Sequence, residues 1–175
     1  DYYNDGSAIS KLVSAFNNNP DASVVRCYPI YVDENTLEEI SRVHDCEMHH
    51  RTDLFLDSLL CQNGFFWGAG NYMVRMADLD ITIPNREIYT EKKAGQNWQL
   101  ISPLLCKRKC LTLNEHLINI LMRTSSHSRG QFSGFKPTLE KEACYERTII
   151  ATIERISVLN HSEKENYIKS VKCKY

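Results

Sequence analysis

No run of eighteen apolar residues occurs in this 175-residue chain, which excludes a membrane-spanning helix and leaves no membrane partner to expect. No signal peptide is visible, and neither an internal repeat nor a linker between domains can be found. Charge of one sign is not in excess either. Lys and Arg number 21 against 22 Asp and Glu, for a formal net charge of −1. A globally basic surface is thereby excluded, and any surface for nucleic acid must be local. A disulfide framework is also missing. The seven cysteines (27, 46, 61, 106, 110, 144 and 173) are odd in number and irregular in spacing.

What is present suits one soluble globular domain spanning 1–175: enough length for a sizeable core, with 42% hydrophobic residues. The chain opens on Asp1 without a methionine, so an excised domain or a processed form is expected. Cysteines close to His44, His49, His50 and His116 fit metal binding in a reducing compartment better than cross-linking. Cys27, Cys61, Cys144 and Cys173 read as small core residues.

Two stretches carry the metal argument. In Cys106-Lys107-Arg108-Lys109-Cys110 two sulfurs can converge on one point. Upstream, Cys46-Glu47-Met48-His49-His50 offers a Cys-x2-His pair. Cys46, His49, Cys106 and Cys110 would complete a closed tetrahedral site for one structural Zn2+, with no open position for catalysis. His44 or His50 could take the place of His49, and Cys46 and Cys110 could instead be ordinary core residues. Such a site would staple distant parts of the chain.

Along the chain, Ser7 to Phe16 has helical spacing but also fits a short strand and connection, and Ser23 to Val32 reads as a strand. Thr52 to Cys61 has helical spacing again, ended by Asn63-Gly64. Asn71 to Ile83 gives two strand-like pieces, the second from the alternation of Leu79, Ile81 and Ile83. Trp98 to Leu105 and Arg147 to Val158 are expected strands. Leu117 to Met122 fits helix or buried strand, with Thr112 and Glu115 as a possible capping box. Ser125 to Pro137 reads as a long loop. Many short strands without βα alternation predict a mainly β fold: a β-sandwich with elaborated, zinc-stapled loops and one or two short helices.

The order of these features resembles the DNA-binding domain of the p-fifty-three tumour-suppressor family of transcription factors. The resemblance spans roughly 20–170. It is carried by the strand Val25-Arg26-Cys27-Tyr28-Pro29-Ile30-Tyr31, the Cys46 to His50 motif, Ile81-Thr82-Ile83-Pro84, Gly95 through Cys106 and Cys110, Leu117 to Met122, and Arg155 in the last long strand. It implies an immunoglobulin-like sandwich in a nuclear transcription regulator. Zinc would pin two loops against double-stranded DNA, with self-association on the DNA and further protein partners. Counting from Cys110 puts His116 at the family's minor-groove position, and Lys164 is the cation nearest its major-groove position.

Lys107, Lys109, His116, Arg155 and Lys164 are therefore the expected DNA contacts, with phosphates supplying affinity and orientation. Two other readings compete. A zinc-stapled protein-interaction module without DNA binding would use the aromatic stretch Gly64-Phe65-Phe66-Trp67-Gly68 if it were exposed. A metal-dependent nuclease would use Asp80, Glu91 and Lys93, an Asp followed by Glu-x-Lys. On balance a non-enzymatic function is expected.

Overall fold

The two longest strands lie side by side and parallel. In the computed structural model, which describes residues 1–43, 48–63, 65, 68, 70–83, 85, 87–89, 97–123 and 134–175, β2 (Ala22–Asp33) pairs with β5 (Lys109–Met122) almost end to end. A parallel pair needs a long crossover between its strands, and residues 34–108 supply it. β1 (Tyr2–Tyr3) adds to the far edge of β5, antiparallel. The other edge of β2 is shared. β4 (Tyr72–Val74) pairs with its first half and β3 (Glu39–Arg42) with its second, both antiparallel. The result is a five-stranded mixed sheet.

Both faces of this sheet are covered, so Ser23 through Pro29 on β2 are buried without interruption. On one face lies α1 (Ala8–Asn18), whose Ala8, Leu12 and Phe16 meet Val25, Cys27, Leu117 and Ile118. On the other lie α2 (Phe55–Leu60), α4 (Asn97–Leu105), α5 (Phe135–Arg155) and α6 (His161–Lys174). They form the larger core with Val24, and Leu79 of α3 (Met76–Thr82) packs at its margin. The α6 start is fixed by a capping box. The Asn160 side chain accepts from the Glu163 N–H, and the Glu163 carboxylate accepts from the Asn160 N–H.

This α/β architecture replaces the expected immunoglobulin-like β-sandwich, and the correction rests on three segments. Residues 76–82 are helical, not extended. Leu79 and Ile83, four apart, turn inward, while Ile81 is 70% exposed. The alternation seen in the sequence was two turns of a helix read at the wrong period. Trp98, Ile101 and Leu105 lie on one face of α4, at spacings of three and four. Arg147 to Arg155 completes the 21-residue α5, and Cys144, Thr148, Ile149, Thr152 and Ile153 form its buried stripe. Tertiary packing here overrides the β preference of Ile and Thr. Thr112 and Glu115 cap no helix, because both lie within β5. The resemblance therefore loses three of the strands on which its implied sandwich was built.

Candidate nucleic-acid interface

The turn from α4 into β5 is tight. Lys107 occupies the left-handed region at φ 59°, which side chains other than glycine seldom adopt. This reverses the chain between Cys106 and Lys109 and projects three consecutive cations in different directions. Each meets an acid from a different element. Lys107 Nζ lies 3.1 Å from a Glu163 carboxylate oxygen on α6 and donates to the Val158 carbonyl at 3.1 Å. Arg108 Nη1 lies 2.8 Å from Asp78 of α3, and Lys109 Nζ 2.5 Å from Asp21 just before β2.

The three pairs differ in character. Asp78 is 8% exposed and also accepts from the Ser23 hydroxyl at 2.7 Å, so Arg108 is fixed. Lys109 and Asp21 are both more than half exposed, where an ion pair contributes little and exchanges readily. The Lys109 ammonium still holds the Asp21 carboxyl below its ordinary range. The Glu163 carboxyl is lowered too, first by the Asn160 N–H and then by Lys107.

These three cations line an open groove of about 710 Å³ with Asp21, Asp53, Phe55, Cys106, Val158 and Tyr167. Arg155 and Lys164 stand at the adjoining α5–α6 corner. Lys164 Nζ donates to the Glu154 carbonyl at 2.7 Å, and Lys107 reaches the same connection at Val158. Of the five expected DNA contacts, Lys107 and Lys109 thus line the groove and Lys164 reaches the α5–α6 connection beside it, whereas the Arg155 guanidinium turns to the Tyr89 ring. His116 stands apart. It lies seven residues along β5 from Lys109, roughly 23 Å at strand rise. Its ring faces Tyr28, and its Nε2 is 2.7 Å from the Val43 carbonyl. Sequence reasoning saw Arg108 within the basic triplet but not among the five expected contacts, and passed over Asp78 and Tyr167 as parts of this surface. The run of three cations between two buried cysteines was the available signal for Arg108.

Of the expected zinc ligands, Cys46 lies outside the described residues, as does His44. Cys106 and Cys110 are 4% and 0% exposed, and both belong to the larger apolar core. Burial pushes the Cys106 thiol up to about 11 and the Cys110 thiol up to about 12. The Cys110 N–H donates to the Thr52 carbonyl, which brings the segment after His49 against the start of β5. The His49 ring packs on His50 at 3.8 Å. Among the described residues, no group of three or more His, Cys, Asp or Glu side chains is placed to hold a metal ion.

The remaining candidates separate. Asp80 is exposed on α3, while Glu91 and Lys93 lie outside the described residues. In the aromatic stretch, Phe65 is 2% exposed with the Arg26 guanidinium 4.4 Å above its ring, so it belongs to the interior. Gly64, Phe66 and Trp67 lie outside the described residues. Cys27 and Cys144 are buried as expected, whereas Cys61 and Cys173 are exposed free thiols. No family model matches this chain, and no curated protein matches it.

Proposed function

We propose that this chain binds nucleic acid through the sugar–phosphate backbone, laid in the groove beside the α4–β5 turn. The supporting observation is the turn itself. Lys107, Arg108 and Lys109 each face an acid from a separate element; Arg108 is pinned on the mostly buried Asp78, while Lys107 and Lys109 stay on exchangeable partners beside it. Preorganised cations lose less side-chain entropy on meeting phosphate. The exposed partners of Lys107 and Lys109 can be exchanged for phosphate oxygens, which is the exchange an interface needs. The half-buried Tyr167, whose ring is backed by the buried Phe55, borders the same groove beside the charges. Lys164 extends the cationic edge at the start of α6.

The test is fluorescence anisotropy with labelled duplex DNA and labelled single strands, titrated between about 50 and 200 mM salt. Binding that weakens linearly on a log–log plot, and whose slope falls by about one when Lys109 is replaced by Gln, is the expected result. Absence of binding at low salt, or affinity indifferent to salt, would overturn the reading. Nucleic acid binding of this kind is carried by charge and needs neither metal nor catalysis in the groove.

A further inference from the structure

The groove beside the α4–β5 turn is not lined by cations alone. The carboxylates of Asp21 and Asp53 also face it, and Arg108 is already engaged by Asp78. Glu163 stands against Lys107 at its edge. The surplus of positive charge is therefore small. A duplex is held by many phosphates neutralised at once, and it would gain little here while meeting Asp21, Asp53 and Glu163 on the way in. The rest of the lining is of another kind. Val158 is 56% exposed, an aliphatic side chain left open between α5 and α6. Tyr167 is half-buried, and its ring meets the buried Phe55 edge to face at 4.9 Å, which fixes the ring where it borders the groove.

The two kinds of lining meet at Lys107. Its ammonium reaches both the Val158 carbonyl and Glu163. Tyr167 follows Glu163 by four residues on α6, one turn along the same face. Side chains so spaced have Cβ atoms roughly 5–6 Å apart. Cation, aliphatic side chain and ring thus fall within the span of one nucleotide. Burial raises the Tyr167 phenol above its ordinary value, with smaller contributions from Cys106, Asp53 and Glu163, so the hydroxyl remains an O–H donor at neutral pH.

We infer that the groove takes a single strand in preference to a duplex, with one unstacked base against Val158 and Tyr167 and the adjoining phosphate on Lys107. This deepens the backbone-binding reading and rests on it. Every base has a π-face, so an aromatic contact adds affinity without reading sequence, and it matters most where few charges are left to spend. A base inside a duplex cannot make that contact, because its neighbours in the stack cover both faces. Lys109 serves a second phosphate on the other side of the turn, in exchange for Asp21.

Fluorescence anisotropy at low salt with three labelled probes of about twelve nucleotides tests the inference. They are a single strand, its duplex, and the same backbone with abasic sites in place of its bases. The single strand is expected to bind at least about fivefold more tightly than the abasic backbone, and more tightly than the duplex. Tyr167→Leu keeps an apolar side chain against Phe55 and should remove most of the preference for bases while the salt slope persists. Because Tyr167 also packs on the core, Val158→Ser provides a second variant. Its side chain is exposed, so the melting temperature should hold while the preference falls. Equal affinity for the single strand and the abasic backbone overturns the inference and leaves the groove reading standing, as does a duplex bound as tightly as the single strand. A preference for bases that survives both variants places the base elsewhere and overturns the assignment. Failure of all three probes to bind sinks both readings.

Discussion

The two faces of the sheet are built to different depths. On one, a single helix closes over β2 and β5, and its outer residues Ile9 and Val13 remain 46% and 41% exposed. On the other, α2, α4, α5 and α6 enclose a continuous core from Val24 to Val171. The thin face has the simpler task of keeping water off one side of the strands. The thick face has several helix ends to reconcile, and its groove lies where those ends meet. α4 ends at the basic turn, α5 ends at Arg155, and α6 begins three residues after Val158. Chemistry has collected where packing is hardest to complete, which is where polar side chains can be held buried or pinned.

Truncations on the two faces put this contrast to the sharpest test. Leu104 on α4 is fully buried within the larger core, and Leu104→Ala is expected to cost about 4 kcal/mol because its crowded surroundings cannot collapse into the space. Leu12→Ala on α1 should cost about 2.5 kcal/mol, since a half-exposed helix can settle toward the sheet. Urea denaturation measures both. Equal losses would mean that the thin face is packed as rigidly as the thick one.

Asp78 joins the thick face to its groove, and its removal ranks next. Asp78→Asn keeps the shape but loses the charge opposite Arg108 and weakens the bond from Ser23. The expected cost is about 2 kcal/mol, the scale of a hydrogen bond to a mostly buried charge. The companion Arg108→Met should recover part of that loss in the double variant, because the two side chains are coupled. Independent, additive effects would show that Asp78 supports α3 and not the turn.

A smaller, pH-dependent effect belongs to the thin face. Burial raises the Cys27 thiol from 9.0 to about 11, against weaker lowering by the Leu117 backbone and Arg26. A raised native pKa means that the unfolded chain releases the proton first. The contribution is therefore whole below pH 9 and is lost as pH rises through about 11. The difference in unfolding free energy between wild type and Cys27→Ala, followed over that window, should shrink steadily. A difference that stays constant would mean that Cys27 does not titrate with unfolding.

How much of this was legible in the sequence follows from the period of each segment. β2 was readable because Val24, Val25, Cys27 and Tyr28 are buried on two faces and the run is β-branched and aromatic. α1 and α2 were readable from spacings of three and four. The stretch from Leu79 to Ile83 was not, because five residues with apolar side chains at every second position fit a strand and a short helix equally. α5 was hidden by its own composition: Thr148, Ile149, Ile150, Thr152 and Ile153 favour strands locally, and only the stripe from Cys144 to Ile153 marks a helix. Of the interface, the basic triplet was visible as a triplet. What could not be read was that each cation has an acid waiting on another element, since Asp21, Asp78 and Glu163 are distant in sequence.

The smallest expected change in stability tests the largest functional claim. Lys107 is held in a left-handed conformation that costs a residue with a Cβ roughly 1–2 kcal/mol. Glycine adopts that conformation without the penalty. Lys107→Gly gives up a half-exposed ion pair worth little and relieves the backbone. Its stability should therefore stay level or rise by about 1 kcal/mol, while the salt slope of nucleic-acid binding falls by about one. Strain that persists where its relief is so simple is best explained by what the side chain does there. If Lys107→Gly is more stable and binds with unchanged affinity and slope, the turn is only a turn, and the cations of the thick face serve the fold alone.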